Sequence, residues 1–134
     1  MARQVSTFLM FEGKAEEAMT FYVSLFDGAK VDSIVRYGPG GPGPEGSVLH
    51  ALFTLKGQNF MCIDSAVKHQ FTFTPAISIF VDCDGEAEID HLAAVLARGG
   101  QTLMPLNKYP FAEKFTWLAD RFGVSWQLRL FAAA

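Results

Sequence analysis

The sequence has little charge, few cysteines and no long apolar run, and each absence excludes a class of protein. Charged residues make up 19% of its 134 residues, and acidic residues outnumber basic ones 14 to 11, which disfavours both extended disorder and a basic nucleic-acid-binding surface. No run of about 18 apolar residues occurs, so no membrane-spanning helix is predicted. The two cysteines, Cys62 and Cys83, cannot form a disulfide framework, and Met1–Gln4 leads into a strand-like run instead of a signal peptide. We therefore expect a reduced, cytoplasmic protein.

Aromatic and apolar residues are abundant, and their spacing predicts one helix and four strands in the first half of the chain. Half of the residues are hydrophobic, and 13 residues are Phe. Spacings of three and four predict an amphipathic helix over Ala15–Phe26, whereas short runs of strand formers predict the β-strands. The run Gly38–Gly46 holds five glycines and three prolines, which predicts a loop. The predicted strands are Val5–Phe11, Val31–Tyr37, Ser47–Leu55 and Gln58–Asp64.

The second half repeats this order after a polar connector at Ser65–Phe71. A helix is predicted over Gly85–Arg98, and Asn107–Pro110 is predicted to be a loop. The predicted strands are Thr72–Val81, Gln101–Leu106, Phe115–Ala119 and Ser125–Leu130. A shift of 72 residues aligns 6–28 with 78–100, where seven residues are identical, among them Ser6 with Ser78, Phe8 with Phe80, Gly13 with Gly85, and Gly28 with Gly100. The sequence thus predicts a single α+β domain of two tandem βαβββ modules, at about 1–66 and about 70–134.

Four segments of the chain resemble one superfamily: AEEAMTFYVSLF (15–26), GPEGSVLHALFTLKGQNFMCID (43–64), FTFTPAISIFVDCD (71–84) and KFTWLADRFGVSWQL (114–128). With their spacing they are similar to the vicinal oxygen chelate superfamily, also called the glyoxalase, bleomycin-resistance and dioxygenase fold. Within it they most resemble the PhnB-like subgroup labelled 3-demethylubiquinone-9 3-methyltransferase. The resemblance implies that each module curls a mixed sheet around a cup, and that the protein is a homodimer.

For the metal-dependent members, the resemblance implies a divalent ion held by the first strand of each module and the last strand of the second. The corresponding positions here are Thr7, Ser78 or Ile79, and Gln127. Hydroxyl, aliphatic and neutral amide side chains are poor substitutes for the histidine and carboxylate ligands of such a site. We therefore expect no catalytic metal of the usual kind and no other cofactor, with a divalent metal not excluded.

Without a metal, polar side chains on the cup strands are the candidates for chemistry. His50, in the middle of a predicted strand, could act as a general base, and Asp64, at the end of the next strand, could orient it or bind a ligand. The structural alternatives are a sheet-face histidine and a strand-end cap. We predict ligand contacts from Gln127, Ser78, Tyr37 and Phe73. Because adjacent strand residues point to opposite faces, Gln127 in the cup would place Trp126 under the helices.

Three functions stay open at this point. The first is a metal-independent small-molecule-binding protein, comparable to the drug-binding members of the superfamily. The second is a lyase, isomerase or dioxygenase-type enzyme that acts on a small organic substrate through His50. Methyl transfer is third, because prolines interrupt the glycines of Gly38–Gly41 and no helix follows them. In each case we expect an unidentified small molecule as the partner, and neither nucleic acid nor membrane.

Overall fold

A computed structural model describes residues 1–131, and within them it has two helices and eight strands. In chain order these are β1 (Thr7–Phe11), α1 (Ala15–Ser24), β2 (Lys30–Arg36), β3 (Val48–Leu55), β4 (Gln58–Asp64), β5 (Ile79–Cys83), α2 (Glu86–Ala97), β6 (Gln101–Tyr109), β7 (Ala112–Ala119) and β8 (Ser125–Leu130). Neither helix in this part of the chain is both long and apolar enough to cross a membrane. The chain divides into two compact units, Met1–Gln70 (unit 1) and Phe71 onward (unit 2).

Unit 1 is a four-stranded sheet with one helix on its face. The strand order is β1-β4-β3-β2, with β1 parallel to β4 and the other neighbours antiparallel. Helix α1 buries Ala15, Ala18, Met19 and Tyr22, four of the predicted stripe residues. Under the helix, the stacked rings of Phe53 and Phe60 lie 5.1 Å apart between centroids. Their burial excludes water from the centre of this unit and stabilises it through the hydrophobic effect.

Unit 2 repeats this arrangement. Its strand order is β5-β8-β7-β6, with β5 parallel to β8 and the other neighbours antiparallel. Helix α2 covers one face of the sheet, where Leu118, Trp126 and Leu128 are buried. We call the opposite side of this sheet the open face of unit 2. The predicted α+β fold of two βαβββ modules is confirmed.

Three predicted strand boundaries are wrong by three or more residues, all near a proline; one of them is the start of β7, which is Ala112 where Phe115 was predicted. The strand predicted at Thr72–Val81 begins only at Ile79, because Pro75 lacks an N–H group for a sheet and the chain turns where the Ile77 N–H bonds the Thr74 carbonyl at 3.5 Å. The segment Asn107–Pro110, predicted as a loop, instead carries β6 as far as Tyr109. There β6 shifts its register against β7 at several points, and such irregular pairing accommodates a proline inside a strand.

A candidate ligand-binding cavity

A row of four side chains crosses the open face of unit 2. Strand register places Phe80 of β5 beside Gln127 of β8, Gln127 beside Trp117 of β7, and Trp117 beside Met104 of β6. Paired residues of neighbouring strands share a face, so these four side chains point to the same side of the sheet. Trp126, the neighbour of Gln127 along the chain, is fully buried on the helix side, as strand alternation predicted.

This row forms part of the wall of a cavity of about 320 Å³. Its lining residues are Phe80, Met104, Phe111, Phe115, Trp117, Gln127 and Arg129. Five of the seven are apolar or aromatic, and the other two are an amide and a guanidinium on the same strand. A mostly apolar concave wall with a small number of polar groups is the usual composition of a small-molecule site.

Hydroxyl groups connect Gln127 and Trp117 beneath the cavity. The Gln127 Nε2 group donates to Ser78 Oγ at 3.3 Å, and Ser78 Oγ lies 2.6 Å from Ser125 Oγ. The indole Nε1 of Trp117 donates to the same Ser125 oxygen at 2.9 Å, and Ser125 is only 2% exposed. These bonds restrain the amide and the indole. The structure therefore brings together two predicted ligand contacts, Gln127 and Ser78.

Arg129 is the charged residue of the cavity wall. Its Nε donates to Asp82 Oδ1 at 2.7 Å, and its Cζ lies 5.1 Å from the centroid of the Phe80 ring. The hydrogen bond to Asp82 raises the pKa of the guanidinium further above its already high value. Arg129 is therefore a permanent cation whose orientation is set by one carboxylate and one aromatic ring.

A second cavity of about 460 Å³ adjoins the hairpin between β6 and β7, and shares Phe111 and Arg129 with the first. Phe111 stacks on Tyr109 and meets Phe115 edge-on, with ring centroids 5.6 and 5.0 Å apart. Phe111 is 60% exposed, whereas Phe115 in the same aromatic cluster is buried. Its ring lies in the walls of both cavities.

His50 lies in unit 1, on the face of the sheet that points away from α1. It is half-buried and pairs with Val35 across β2 and β3. From His50 onward, the residues of β3 that are buried are Ala51, Phe53 and Leu55, so strand alternation places His50 on the other side; Val48, also buried, lies beyond a register shift. This position matches the predicted cup face, and its chemical role stays a prediction.

Asp64 ends β4 on the helix side of the same sheet, opposite to His50. Its Oδ1 accepts the N–H groups of Gly13 and Ala15 at 2.8 and 2.9 Å, and its Oδ2 accepts the Val48 N–H at 2.9 Å. Asp64 is 3% exposed. These bonds give it a structural role at the start of α1 and β3, and the structure does not bring it to His50. The predicted catalytic role of Asp64 stays a prediction, and no contact with His50 supports it.

Of the four predicted contacts only Gln127 is in the cavity wall; Ser78 reaches it through its hydrogen bond to Gln127, and Tyr37 and Phe73 do not line the cavity. The Tyr37 hydroxyl donates to the Asp64 carbonyl at 3.1 Å, and Gly43 of the Gly/Pro loop lies so close that a Cβ there would be 2.7 Å from the ring. Phe73 lies next to the β7–β8 turn, about 3.8 Å from where a Cβ on Gly123 would be. Both therefore pack against loops of their own unit.

The donor groups present do not fit a catalytic divalent ion. Ser78 and Gln127 bond each other and are neutral, Ile79 has no donor, and the Thr7 hydroxyl accepts a bond from Gln58 Nε2 at 3.4 Å. Within residues 1–131, no three His, Cys, Asp or Glu side chains are grouped so as to hold a metal. Hard divalent ions require several anionic or imidazole ligands, so this donor chemistry disagrees with the superfamily's metal site.

Both cysteines are poor nucleophiles. Burial, with a smaller contribution from the Asp64 charge, raises the pKa of the Cys62 thiol to about 12. Burial likewise raises the pKa of Cys83 to about 12, helped by the charges of Glu88, Asp82 and Asp84. Because the thiolate is the reactive form, neither side chain is suited to covalent chemistry near neutral pH.

Sequence reasoning missed most of the cavity wall, above all Trp117 and Arg129. Arg129 could have been predicted from the sequence, because it lies two residues after Gln127 and therefore shares its face of β8. Trp117 and Met104 depend on the pairing of β6, β7 and β8. No spacing along the chain gives that register through the irregular β6 strand.

Comparison with known proteins identifies the family. The 3-demethylubiquinone-9 3-methyltransferase family matches residues 3–129. One solved structure, from Bacillus cereus, is 61% identical to this chain, with a TM-score of 0.94. It is named PhnB protein, and provisionally a 3-demethylubiquinone-9 3-methyltransferase. The match covers 96% of this chain and 100% of that one. A protein of Pseudomonas aeruginosa is 28% identical over 96% of this chain and 98% of its own, with a TM-score of 0.81.

A more distant structure shares the fold alone. This is a variant of the fosfomycin resistance protein FosX from Listeria monocytogenes, complexed with Mn(II) and 1S,2S-dihydroxypropylphosphonic acid, at 13% identity and a TM-score of 0.63 over 98% of this chain and 95% of that one. None of the curated proteins matches the chain. The chain therefore belongs to the 3-demethylubiquinone-9 3-methyltransferase family, with a PhnB protein among its relatives.

Proposed function

We propose that this protein binds a small organic molecule in the 320 Å³ cavity of unit 2, without the catalytic metal of its superfamily. The observation that carries the proposal is the composition of the wall: apolar and aromatic side chains around a restrained amide and one guanidinium. The neutral donors at the superfamily's metal positions support the second half of the proposal. A site of this size and polarity is suited to a ligand of one or two rings.

The two tryptophans of the chain give a site-specific test of this proposal. Trp117 lines the cavity, whereas Trp126 is fully buried and donates to Asp120 Oδ2 at 2.9 Å. A screen of small organic molecules by thermal unfolding, each with and without Mn²⁺, should find ligands that raise Tm in the absence of metal. A free ligand concentration of about 100 times Kd should raise the free energy of unfolding by about 2.7 kcal/mol.

Each ligand found should also change the tryptophan fluorescence. Trp117→Phe should remove that change, and the matched variant Trp126→Phe should retain it. The proposal fails if ligands stabilise the protein only together with a divalent ion. It also fails if the fluorescence change survives in Trp117→Phe, because binding would then occur away from the cavity.

An enzyme that uses His50 is the second candidate, and one observation favours it. The imidazole is half-buried on the open side of its sheet, and no hydrogen-bond partner for it occurs among residues 1–131. An imidazole in that position can exchange a proton with a bound molecule. His50→Ala should abolish turnover of a true substrate while leaving Tm within about 2 °C of the wild type, since no bond is lost. A loss of Tm without loss of turnover would assign His50 to structure.

We further propose that the protein is a cytoplasmic homodimer, and we keep methyl transfer only as a lesser alternative. The Gly38–Gly46 loop joins two antiparallel strands, and this connection offers no helix N-terminus for a nucleotide-like cofactor. Adenosylmethionine that raised Tm at micromolar concentration would nevertheless reinstate methyl transfer. Exposed apolar side chains, among them Phe8 and Val35 in unit 1, fit a self-association surface. Light scattering should give twice the mass of the chain.

A further inference from the structure

We infer that the molecule bound in the cavity is a small organic anion with an aromatic or apolar body, and that Arg129 binds its anionic group. The inference rests on the proposed binding function and adds to it the chemical class of the ligand. Its starting point is the position of Arg129, which lies in the wall of both cavities of unit 2.

The hydrogen-bonding capacity of Arg129 is mostly unused. Only Nε is engaged, by Asp82, and the two terminal nitrogens have no hydrogen-bond partner among residues 1–131. A guanidinium has five N–H groups, so four stay available on its terminal edge. Two parallel N–H groups on that edge match the geometry of a carboxylate, sulfonate or phosphoryl group.

The surroundings of Arg129 favour an anion over a neutral polar group. Among the residues that line the smaller cavity, Arg129 is the one charged side chain and no carboxylate is present. Asp82 is engaged at the Nε side, and the two side chains are 41% and 40% exposed, so solvent screens much of the attraction between them. The Phe80 ring under Cζ holds the guanidinium plane and supplies apolar surface beside it.

The rest of the wall indicates what the anion is attached to. Most of the wall is apolar surface, from Phe80, Met104, Phe115 and Trp117. Gln127 lies two residues before Arg129, on the same face of β8. Residues two apart on a strand are about 7 Å apart, which is close to the length of one substituted aromatic ring. An arylcarboxylate bound at Arg129 would therefore lay its ring along β8 over Trp117, with its far edge at Gln127.

The test compares acids with their neutral amides by titration calorimetry. Benzoate and 2-naphthoate are the anionic probes, and benzamide and 2-naphthamide match them in shape without the charge. At least one acid should bind about tenfold more tightly than its amide to the wild-type protein. Arg129→Met should reduce the affinity for that acid to about the level of the amide, and should weaken the amide much less than the acid.

Two further variants separate the role of Arg129 from charge in general. Arg98→Met removes the same charge from an exposed position after α2 in the same unit, and should leave both affinities unchanged. Arg129→Lys keeps the charge but loses the planar fork, and should give an intermediate affinity even if Arg129→Met folds poorly.

The outcomes distinguish this inference from the function on which it rests. If the acid and its amide bind with equal affinity and the Trp117 fluorescence change is intact, the inference that the ligand is an anion is wrong. The cavity would still be a binding site. If Arg129→Met and Arg98→Met lower the affinity for the acid equally, the inference is also overturned, because the effect of the charge would then be long-range. If none of the four probes binds at millimolar concentration, the inference is wrong, while the proposed function is judged by the Trp117-dependent screen.

Discussion

The carboxylate of Asp64 should be among the most costly side chains to remove from this protein. It joins the end of β4 to the starts of α1 and β3 by accepting three backbone N–H groups within 2.9 Å. The bonds to Ala15 and Val48 are buried, and the bond to Gly13 is partly buried. The perturbation we consider is the pair of variants Asp64→Ala and Asp64→Asn.

The magnitude follows from the number and kind of bonds. A hydrogen bond to a charged group contributes about 1.5–3 kcal/mol, and a buried N–H left unpaired costs a comparable amount. Asp64→Ala leaves two buried N–H groups without a hydrogen-bond partner, and a third that water can reach. The free energy of unfolding should therefore fall by about 4 kcal/mol. In Asp64→Asn, one amide oxygen still accepts but the NH₂ group cannot, so the loss should be about 2 kcal/mol. Small domains have total stabilities of about 5–15 kcal/mol, so the first value would leave a marginal fold.

Urea unfolding followed by far-UV circular dichroism measures both losses. Glu45→Gln is the matched control, because Glu45 is an exposed carboxylate in the Gly/Pro loop, and it should change the stability by less than about 0.5 kcal/mol. A loss below about 1 kcal/mol for Asp64→Ala would refute the structural role. If such a stable variant also lost ligand binding or turnover, Asp64 would belong to the chemistry, as the sequence suggested.

Two other predictions use the thiols and the Gly/Pro loop. The pKa values of Cys62 and Cys83 are about 12 when folded and about 8.5 when unfolded, so their contribution to stability is complete below about pH 8.5 and is lost as the pH rises toward 12. Ellman's reagent at pH 8 should accordingly modify both thiols slowly in the native protein and rapidly in urea; rapid native modification would contradict this. Gly43→Ala should lower the stability by about 1–3 kcal/mol, because its Cβ would overlap the Tyr37 ring, whereas Gly38→Ala meets nothing within 4 Å. Equal melting temperatures for these two variants would show that the loop does not pack on that ring.

The elements of the fold follow from periodicity because their signals are local. The stripe on α1 and the turn Lys56–Gly57, with φ of 47° and 81°, are set by residues close together in sequence. The largest errors occurred where prolines compete with strand formers. A run such as Thr72–Val81 has the composition of a strand, but whether its N–H groups find partners depends on β8, about 50 residues later in the chain.

The candidate site is less accessible to such reasoning, because it is made by register across strands. The position of Gln127 followed from the superfamily frame and from alternation with Trp126. Its neighbours did not, since Trp117 and Met104 become neighbours only when β7 pairs with β8 and β6. Asp64 shows the opposite failure: a polar residue at a strand end resembles a functional group until its three backbone partners are known.

The repeat gives a reason why we propose the binding site in unit 2. Register places Phe8 beside Met61 and Met61 beside Leu52 in unit 1, in the same way that Phe80 lies beside Gln127 and Gln127 beside Trp117 in unit 2. The two rows are therefore equivalent positions of one module, and both begin with phenylalanine. In unit 1 the next two positions are the flexible apolar side chains of methionine and leucine. In unit 2 they are an amide and an indole whose polar groups are fixed by two buried or half-buried serine hydroxyls. Equivalent backbones thus carry an apolar row in one unit and a restrained polar row in the other, and we expect the second row to contribute hydrogen bonds to the ligand that we propose.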